Sequence, residues 1–186
     1  MVKEVKKNFV SAAEAAGAQV VACDGVKQAV EYLAEKTPGI LLCPAFASGE
    51  RIDLAGQLRR AGITVVDSDF REQAPTAQAG VTGVNFAMAD TGTLALESTA
   101  EEIRLATTLP EVQFALLDPQ KIYADSLEAV EPLRQLHLRD PRNYIAYITG
   151  PSRTADIERV LTIGVHGPKQ LHILLVPGLS ESPLEM

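Results

Sequence analysis

The feature that most constrains the fold is an alternation of helical patterns with short apolar runs in the first third of the chain. Apolar side chains recur at helical spacing in residues 2–16, 24–36 and 53–61. The intervening runs at 19–23, 39–43 and 63–66 are rich in apolar and β-branched residues. A continuously apolar strand is typical of a parallel sheet covered on both faces. The alternation therefore predicts a parallel sheet with right-handed crossovers and helices on its faces.

The second half of the chain is less regular. Strands are predicted at 84–89 and 93–97, joined tightly through Asp90-Thr91-Gly92, and the further strands at 112–117, 144–148 and 171–176. Helices are predicted at 124–137 and 154–163. Residues 177–186 are polar and contain proline, so we expect them to fray. Without repeats or a linker, residues 1–186 are predicted to form one α/β domain.

Composition and charge exclude several classes of protein. Hydrophobic residues make up 46% and charged residues 22% of the 186 residues, which is the balance of a globular protein. A net charge of -7 opposes nucleic-acid binding, and Glu4 interrupts the densest basic cluster, at Lys3, Lys6 and Lys7. Every apolar run is far shorter than the roughly 20 residues that span a bilayer. The first residues lack the apolar stretch of a secretory signal, so we expect a cytoplasmic protein that does not insert into membranes.

The two cysteines, Cys23 and Cys43, lie on separate predicted strands. Two thiolates alone do not complete the usual four-cysteine set of an iron–sulfur cluster or a structural zinc. We expect both to be buried thiols that pack as small apolar groups, and we expect no metal and no cofactor in this chain. Metal motifs, a Walker loop and a dinucleotide-binding glycine pattern are also missing from the sequence.

The first unusual loop is the turn Ala89-Asp90-Thr91-Gly92-Thr93. Asp accepts a backbone proton two residues on, and Gly tolerates the positive φ of a tight turn. One interpretation is a well-built hairpin. The other is that Asp90, Thr91 and Thr93 place a carboxylate and hydroxyls at the rim of a pocket.

The second loop, Gly150 to Glu158, directly follows an apolar strand. A glycine turn there aims the next helix N-terminus at the crevice beyond the strand, where an anion is favoured and Arg153 clamps it. In the alternative, Ser152 or Thr154 caps the helix, and Asp156 and Glu158 complement its dipole and pair with Arg153.

The third loop is Gly164-Val165-His166-Gly167-Pro168. His166 lies among turn residues, where it is either an accessible general acid or base or merely a solvated side chain. His137 and His172 are predicted to be structural, because one ends a helix and the other lies within a strand. No Ser/His/Asp triad is identifiable from these elements.

Together, the three loops, in this order and preceded by Gly80-Val81-Thr82-Gly83, resemble the signature of the lactate utilization protein C, or LUD-domain, family. The resemblance covers essentially the whole chain. It implies a Rossmann-like three-layer α/β domain, similar to the superfamily of sugar-phosphate isomerases, glucosamine-phosphate deaminases and CoA transferases.

The resemblance also implies a role in oxidising L-lactate to pyruvate with two partner proteins that carry the iron–sulfur clusters. It supplies no established catalytic residue. Compared with longer relatives the chain is short before its first helix, so we expect a docking segment of those relatives to be missing. The candidate residues for binding a small anionic ligand are Asp90, Thr91, Gly92, Thr93, Gly150, Ser152, Arg153, Thr154, Asp156, Glu158 and His166.

Two alternatives to this role remain at the level of sequence. In the first, the protein is a free-standing enzyme acting on a sugar phosphate, a folate-like ligand or a CoA ester, as the wider superfamily suggests. In the second, it is a binding scaffold without chemistry.

Overall fold

The computed structural model describes residues 2–140, 142–154 and 162–186. The helices are α1 (Val2–Ala15), α2 (Val26–Lys36), α3 (Ala47–Arg51), α4 (Leu54–Arg60), α5 (Phe70–Gln73), α6 (Glu101–Thr108) and α7 (Val130–Arg139). The strands are β1 (Gln19–Ala22), β2 (Ile40–Leu42), β3 (Thr64–Val66), β4 (Ala79–Gly83), β5 (Phe86–Met88), β6 (Thr93–Glu97), β7 (Val112–Leu117), β8 (Ile122–Tyr123), β9 (Ile145–Ile148), β10 (Arg153–Thr154), β11 (Thr162–Ile163) and β12 (Gln170–Leu175).

The centre of the molecule is a six-stranded sheet in the order β1-β12-β7-β4-β2-β3. Every neighbouring pair in it is parallel, which confirms the prediction from the alternating pattern. After β2 the next strand, β3, is added at the sheet edge beside β2. After β4 the next strand of this sheet, β7, is added on the opposite side, towards β12 and β1. The order therefore reverses between β2 and β4, and such a reversal opens a crevice at the carboxyl ends of the strands.

A second sheet has four strands in the order β8-β5-β6-β9, and short segments connect it to the first sheet. Only residues 84–85 separate β4 from β5, and residues 118–121 separate β7 from β8. β5 and β6 form the predicted antiparallel hairpin, with Met88 opposite Thr93. β9 then pairs antiparallel with β6 and forms an edge of this sheet.

The core lies on both faces of the parallel sheet. On one face, Leu33 of α2 and Leu58 of α4 pack with Phe114 of β7. On the other face, Phe9 of α1 and Leu94 of β6 pack with Ile173 of β12. This arrangement is the three-layer α/β architecture that the sequence analysis predicted, with the second sheet and α1 together supplying one outer layer.

The sequence analysis missed several elements, among them β4 and α6. β4 is fully buried, yet Gly80 and Gly83 lower its β propensity. Gly80 is needed because a Cβ there would overlap the carbonyl oxygen of Ala106 in α6. The helix α6 is short, and its sequence signal is limited to Glu101 and Glu102 in its first turn.

The predicted helix at 124–137 is wrong over its first part, since α7 begins only at Val130. The Asp125 carboxylate accepts hydrogen bonds from the amides of Leu127 and Glu128, and the Glu128 carboxylate accepts one from Ala124. Such local bonds from side chain to backbone compete with a helix.

The helix predicted at 154–163 is wrong at both ends. Arg153 and Thr154 instead form an antiparallel ladder with Thr162 and Ile163. Three of these four residues are β-branched, which favours a strand. The middle of the prediction, residues 155–161, lies outside the described part of the chain.

The expectation that residues 177–186 fray is also wrong. Leu179 and Ser180 are only 2% and 6% exposed, and Met186 packs against both large core clusters. Apolar anchors within a polar segment explain why composition alone misjudged it.

The two cysteines follow β1 and β2 directly and are buried, as expected. Burial raises the pKa of Cys43 to about 12 and also raises that of Cys23. In the described ranges, no helix combines the length and apolar character needed to cross a bilayer.

Candidate functional site

The turn at Asp90 and the loop at Gly150 meet through a line of threonine hydroxyls. Thr93 is buried at the start of β6, and its Oγ1 lies 2.8 Å from Oγ1 of Thr149, which follows β9. The Thr93 hydroxyl donates to Thr91 Oγ1, also at 2.8 Å. Because β6 pairs with β9, the end of one strand and the start of the other must lie side by side. The hairpin therefore fixes the position of Gly150.

The loops at Gly150 and Gly164 are bound to each other through Ser152. The Ser152 amide donates to the carbonyl of Pro168 at 2.9 Å, and the amide of Gly164 donates to the Ser152 carbonyl at 2.9 Å. The Ser152 hydroxyl donates to the carbonyl of His166 at 3.2 Å. The structure thus joins the three loops in one continuous surface. Ser152 serves as a bridge between loops rather than as a helix cap.

Two glycines bring this surface against the end of α1. Gly92 has a φ of +66°, and a Cβ there would overlap the Ala13 backbone nitrogen and lie 2.5 Å from its Cα. Gly150 has a φ of +69°, and its Cβ would overlap the carbonyl oxygen of Ala16. Side chains are excluded at both positions by conformation and by space. The site geometry consequently depends on backbone packed directly on backbone.

A crevice of about 440 Å³ opens between the loops at Gly150 and Gly164, β9 and the end of α6. Its lining includes Gln113 and Leu171, which are both 1% exposed. The rest of the lining is Thr107, Thr108, Ala146, Tyr147, Ile148, Thr149, Gly150, Pro151, Ser152, Arg153, His166, Gly167 and Pro168.

The position of the crevice corrects one expectation. Loop 150–154 does follow the carboxyl end of β9, but β9 belongs to the second sheet. In the parallel sheet the same loop lies at the amino end, because Ser152 is bonded to Pro168, which comes just before β12. The sequence indicated strand β9 and the turn after it. That β9 belongs to a second sheet depends on its pairing with β6, which is distant in sequence.

The electrostatic character of the crevice differs from that of the whole chain. The chain carries a net charge of -7, yet no acidic side chain is among the described residues that line the crevice. Arg153 is an exposed residue of the lining whose guanidinium lies beside Gly17 and Gly150, and His166 is exposed nearby. The lining therefore suits an anionic ligand.

Gln113 lines the crevice but was not among the predicted candidate residues. Its Nε2 is buried without a hydrogen-bond partner in the part of the chain that the structure describes. Leaving a buried donor unpaired costs about 1–3 kcal/mol, so such a group in a crevice points to a ligand that accepts from it. The available signal was a lone polar residue within the apolar strand 112–117.

The other predicted residues lie at the hairpin tip, in β10 or outside the described part of the chain. Asp90 and Thr91 are exposed at the hairpin tip and do not line the crevice, while Thr154 lies in β10. Asp156 and Glu158 lie outside the described residues.

His172 is buried, with its Nδ1 2.8 Å from the Tyr32 hydroxyl, and desolvation lowers its pKa. Among residues 2–140, 142–154 and 162–186, no group of three or more His, Cys, Asp or Glu side chains is arranged to hold a metal.

The layers define a Rossmann-like three-layer α/β domain with an open crevice beside its second sheet. The chain belongs to the LUD domain family, whose pattern matches residues 6–176. A crystal structure of a DUF162 family protein from Deinococcus radiodurans superposes with a TM-score of 0.68, covering 95% of this chain and 98% of that one. At 18% sequence identity, this likeness shows the fold alone.

Curated relatives agree with the family match. Lactate utilization protein C from Anoxybacillus flavithermus is 31% identical over 131 residues, which are 68% of this chain and 58% of that protein. An uncharacterized protein of Neisseria meningitidis, NMB1437, is 40% identical over 108 residues, or 58% of this chain and 46% of that protein. The chain thus aligns with about half the length of these relatives.

The close approach at Gly92 predicts a large effect of a small substitution. Gly92→Ala should lower the free energy of unfolding by about 2–5 kcal/mol, since it adds a clash with α1 to the left-handed backbone cost. Gly62→Ala is the matched control, because Gly62 has a φ of +88° with nothing within 4 Å of its Cβ position. It should cost only about 1–2 kcal/mol. Equal losses in urea unfolding would show that the contact with α1 is unimportant.

Proposed function

We propose that this protein acts in lactate utilization and binds a small carboxylate or phosphate in the crevice formed by loops 150–154 and 164–168. The single observation that carries the binding proposal is the unpaired Nε2 of buried Gln113 in a crevice whose described lining holds Arg153 and no carboxylate. The lactate role is supported by the family match and by the relative named lactate utilization protein C.

The chemistry of the two donors fits an anion. Arg153 offers a planar fork of N–H groups that matches two oxygens at once, and Gln113 offers a further neutral donor. Charged hydrogen bonds of this kind contribute about 1.5–3 kcal/mol each. The exposed imidazole of His166 adds a group that can donate or accept a proton. In this proposal Arg153 and Gln113 orient the ligand, and His166 is the candidate for proton transfer.

Electron transfer in this proposal belongs to partner proteins that carry iron–sulfur clusters. Cys23 and Cys43 are buried after different strands, and burial raises the pKa of both thiols, which disfavours the thiolates that a cluster needs. The protein itself would supply ligand binding, and its partners would supply the redox centres.

Growth tests the proposed lactate role. Deleting the gene in its source organism should abolish growth on L-lactate as the only carbon source, and the wild-type gene should restore it. The Arg153→Ala gene should restore growth poorly if the crevice is required. Full growth of the deletion strain would contradict the lactate role. Turnover of a sugar phosphate or a CoA ester by the isolated protein would instead favour the free-standing enzyme.

The role of Arg153 is tested by titration calorimetry with L-lactate, pyruvate and inorganic phosphate. Arg153→Ala should weaken binding of the anion that the wild type takes by roughly tenfold or more. Arg153→Lys should recover part of the loss, since the ammonium keeps the charge but not the fork. Arg60→Ala is the control, because Arg60 is an exposed arginine that pairs with Asp53 away from the crevice. Unchanged affinity with a lowered melting temperature would make Arg153 structural.

Gln113 should show a trade between stability and binding. Gln113→Leu removes a buried donor without a partner, so the free energy of unfolding should stay the same or rise by about 1–3 kcal/mol. The same change should weaken anion binding, because the ligand loses that donor. Urea unfolding and calorimetry on the same variant give both quantities. Lower stability together with unchanged affinity would assign Gln113 to the core instead.

A further inference from the structure

Residues 182–186 fill the crevice where the strand order of the parallel sheet reverses. Gly83 ends β4, and a Cβ there would overlap the backbone of Met186 and crowd the ring of Phe46, which follows β2. In α/β sheets this position, beyond the carboxyl ends of the strands, is where ligands usually bind. Here it is occupied by the chain itself, at the opposite end of the sheet from the crevice at Arg153.

The segment is held by its backbone carbonyls as well as by its side chains, since Leu184 and Met186 pack against core clusters. Each carbonyl from residue 183 to residue 186 accepts a hydrogen bond from another part of the chain. The donors are Asn85 Nδ2 to Pro183 (3.1 Å), Arg139 Nη1 to Leu184 (2.5 Å), Lys121 Nζ to Glu185 (2.9 Å) and the Ser48 amide to Met186 (2.9 Å). These four hydrogen bonds recognise carbonyl oxygens, so a different molecule with oxygens at the same places can satisfy the same donors.

Glu185 is the residue most completely bound. Its carboxylate accepts from Arg51 Nη2 at 2.5 Å and from the Ser180 hydroxyl at 2.9 Å. These two hydrogen bonds hold the pKa of Glu185 below its usual range. Its own carbonyl oxygen accepts from Lys121. Between that carbonyl and the side-chain carboxylate lies a chain of three carbons, so Glu185 presents the five-carbon skeleton of glutarate to its three donors.

Lys121 is an unusual residue for a purely structural contact. It is 1% exposed, and its Nζ also donates to the carbonyl of Val84 at 2.6 Å. Desolvation lowers its pKa to about 8. A buried ammonium is costly unless it is well paired, and here its partners are two neutral carbonyls rather than a carboxylate. An anionic partner would bind this ammonium more strongly than the two neutral carbonyls do.

The charged side chains around the segment also favour an anionic partner. Lys121, Arg51 and Arg139 all contact residues 184–185, and Asp118 is the acid that remains beside Lys121 when Glu185 is removed. Asp118 is already engaged by the amides of Gln120 and Ser180. In addition, the Ser48 hydroxyl is fully buried and unpaired within the described residues, although the Ser48 amide binds Met186. The segment therefore does not satisfy every hydrogen-bonding group of this crevice.

We propose that this crevice is a second anion site, specific for a five-carbon dicarboxylate, and that residues 182–186 occupy it as a built-in mimic. One carboxylate of the ligand takes the place of the Glu185 side chain against Arg51 and Ser180. The other takes the place of the Glu185 carbonyl against Lys121. Binding requires the segment to leave, so the site exchanges between its own segment and the ligand.

Deleting residues 182–186 tests this directly. Calorimetry should show glutarate binding at least tenfold more tightly to the deletion variant than to the full chain, because no segment competes. Butyrate, which has one carboxylate, should bind more weakly than glutarate. Adding Arg51→Ala or Lys121→Met to the deletion should reduce glutarate affinity at least tenfold, whereas adding Arg71→Ala, at an exposed arginine paired with Glu101, should not change it. A folded deletion variant that binds glutarate no better than the full chain would overturn the proposal.

A measurement on the full chain decides the matter even if the deletion variant does not fold. The chain has 3 methionines, so methyl carbon labelling gives a simple spectrum. With added glutarate, the Met186 methyl signal should move towards its position in an unstructured peptide, while buried Met88 should stay unchanged. A Met186 signal that does not move at saturating glutarate would show that the segment is a permanent part of the core.

Discussion

The structure depends on the contact of two loop backbones with the end of α1. Gly92 at the hairpin tip and Gly150 after β9 each lie where a side chain would overlap that helix. Alanines at 12, 13 and 16 make the approach possible from the helix side. Because interiors are close-packed, this contact fixes the second sheet relative to the parallel sheet. The positions of Thr149, Ser152 and Arg153, and so the crevice, follow from it.

The sequence predicted most of the central sheet because its strands are short apolar runs between helical patterns. It failed where an element's identity depends on a distant neighbour. Gly80 looks like a strand breaker, yet it is the residue that lets α6 approach β4. Arg153 and Thr154 resemble the start of a helix, but they pair with Thr162 and Ile163. Whether a buried polar group finds a partner, as the Gln113 amide does not among the described residues, cannot be read from local sequence.

The candidate site was predicted in part for the same reason. Glycine and hydroxyl residues marked the three loops correctly as neighbours of strands, and the structure joins them through Thr93 and Ser152. The end of the parallel sheet on which they lie was not predictable, since β9 belongs to a second sheet. The packing of residues 177–186 was missed because Leu179 and Met186 are separated by polar residues and proline.

In the proposed function, Gln113 and Arg153 bind the same anion in one crevice. Nitrogen-15 NMR of the intact protein during titration with L-lactate, pyruvate or phosphate follows the Gln113 side-chain amide and the Arg153 Nε–H group separately. Both signals should shift with one of these anions and give the same dissociation constant. An anion that binds tightly while both signals stay fixed, or that moves them with different constants, would contradict it.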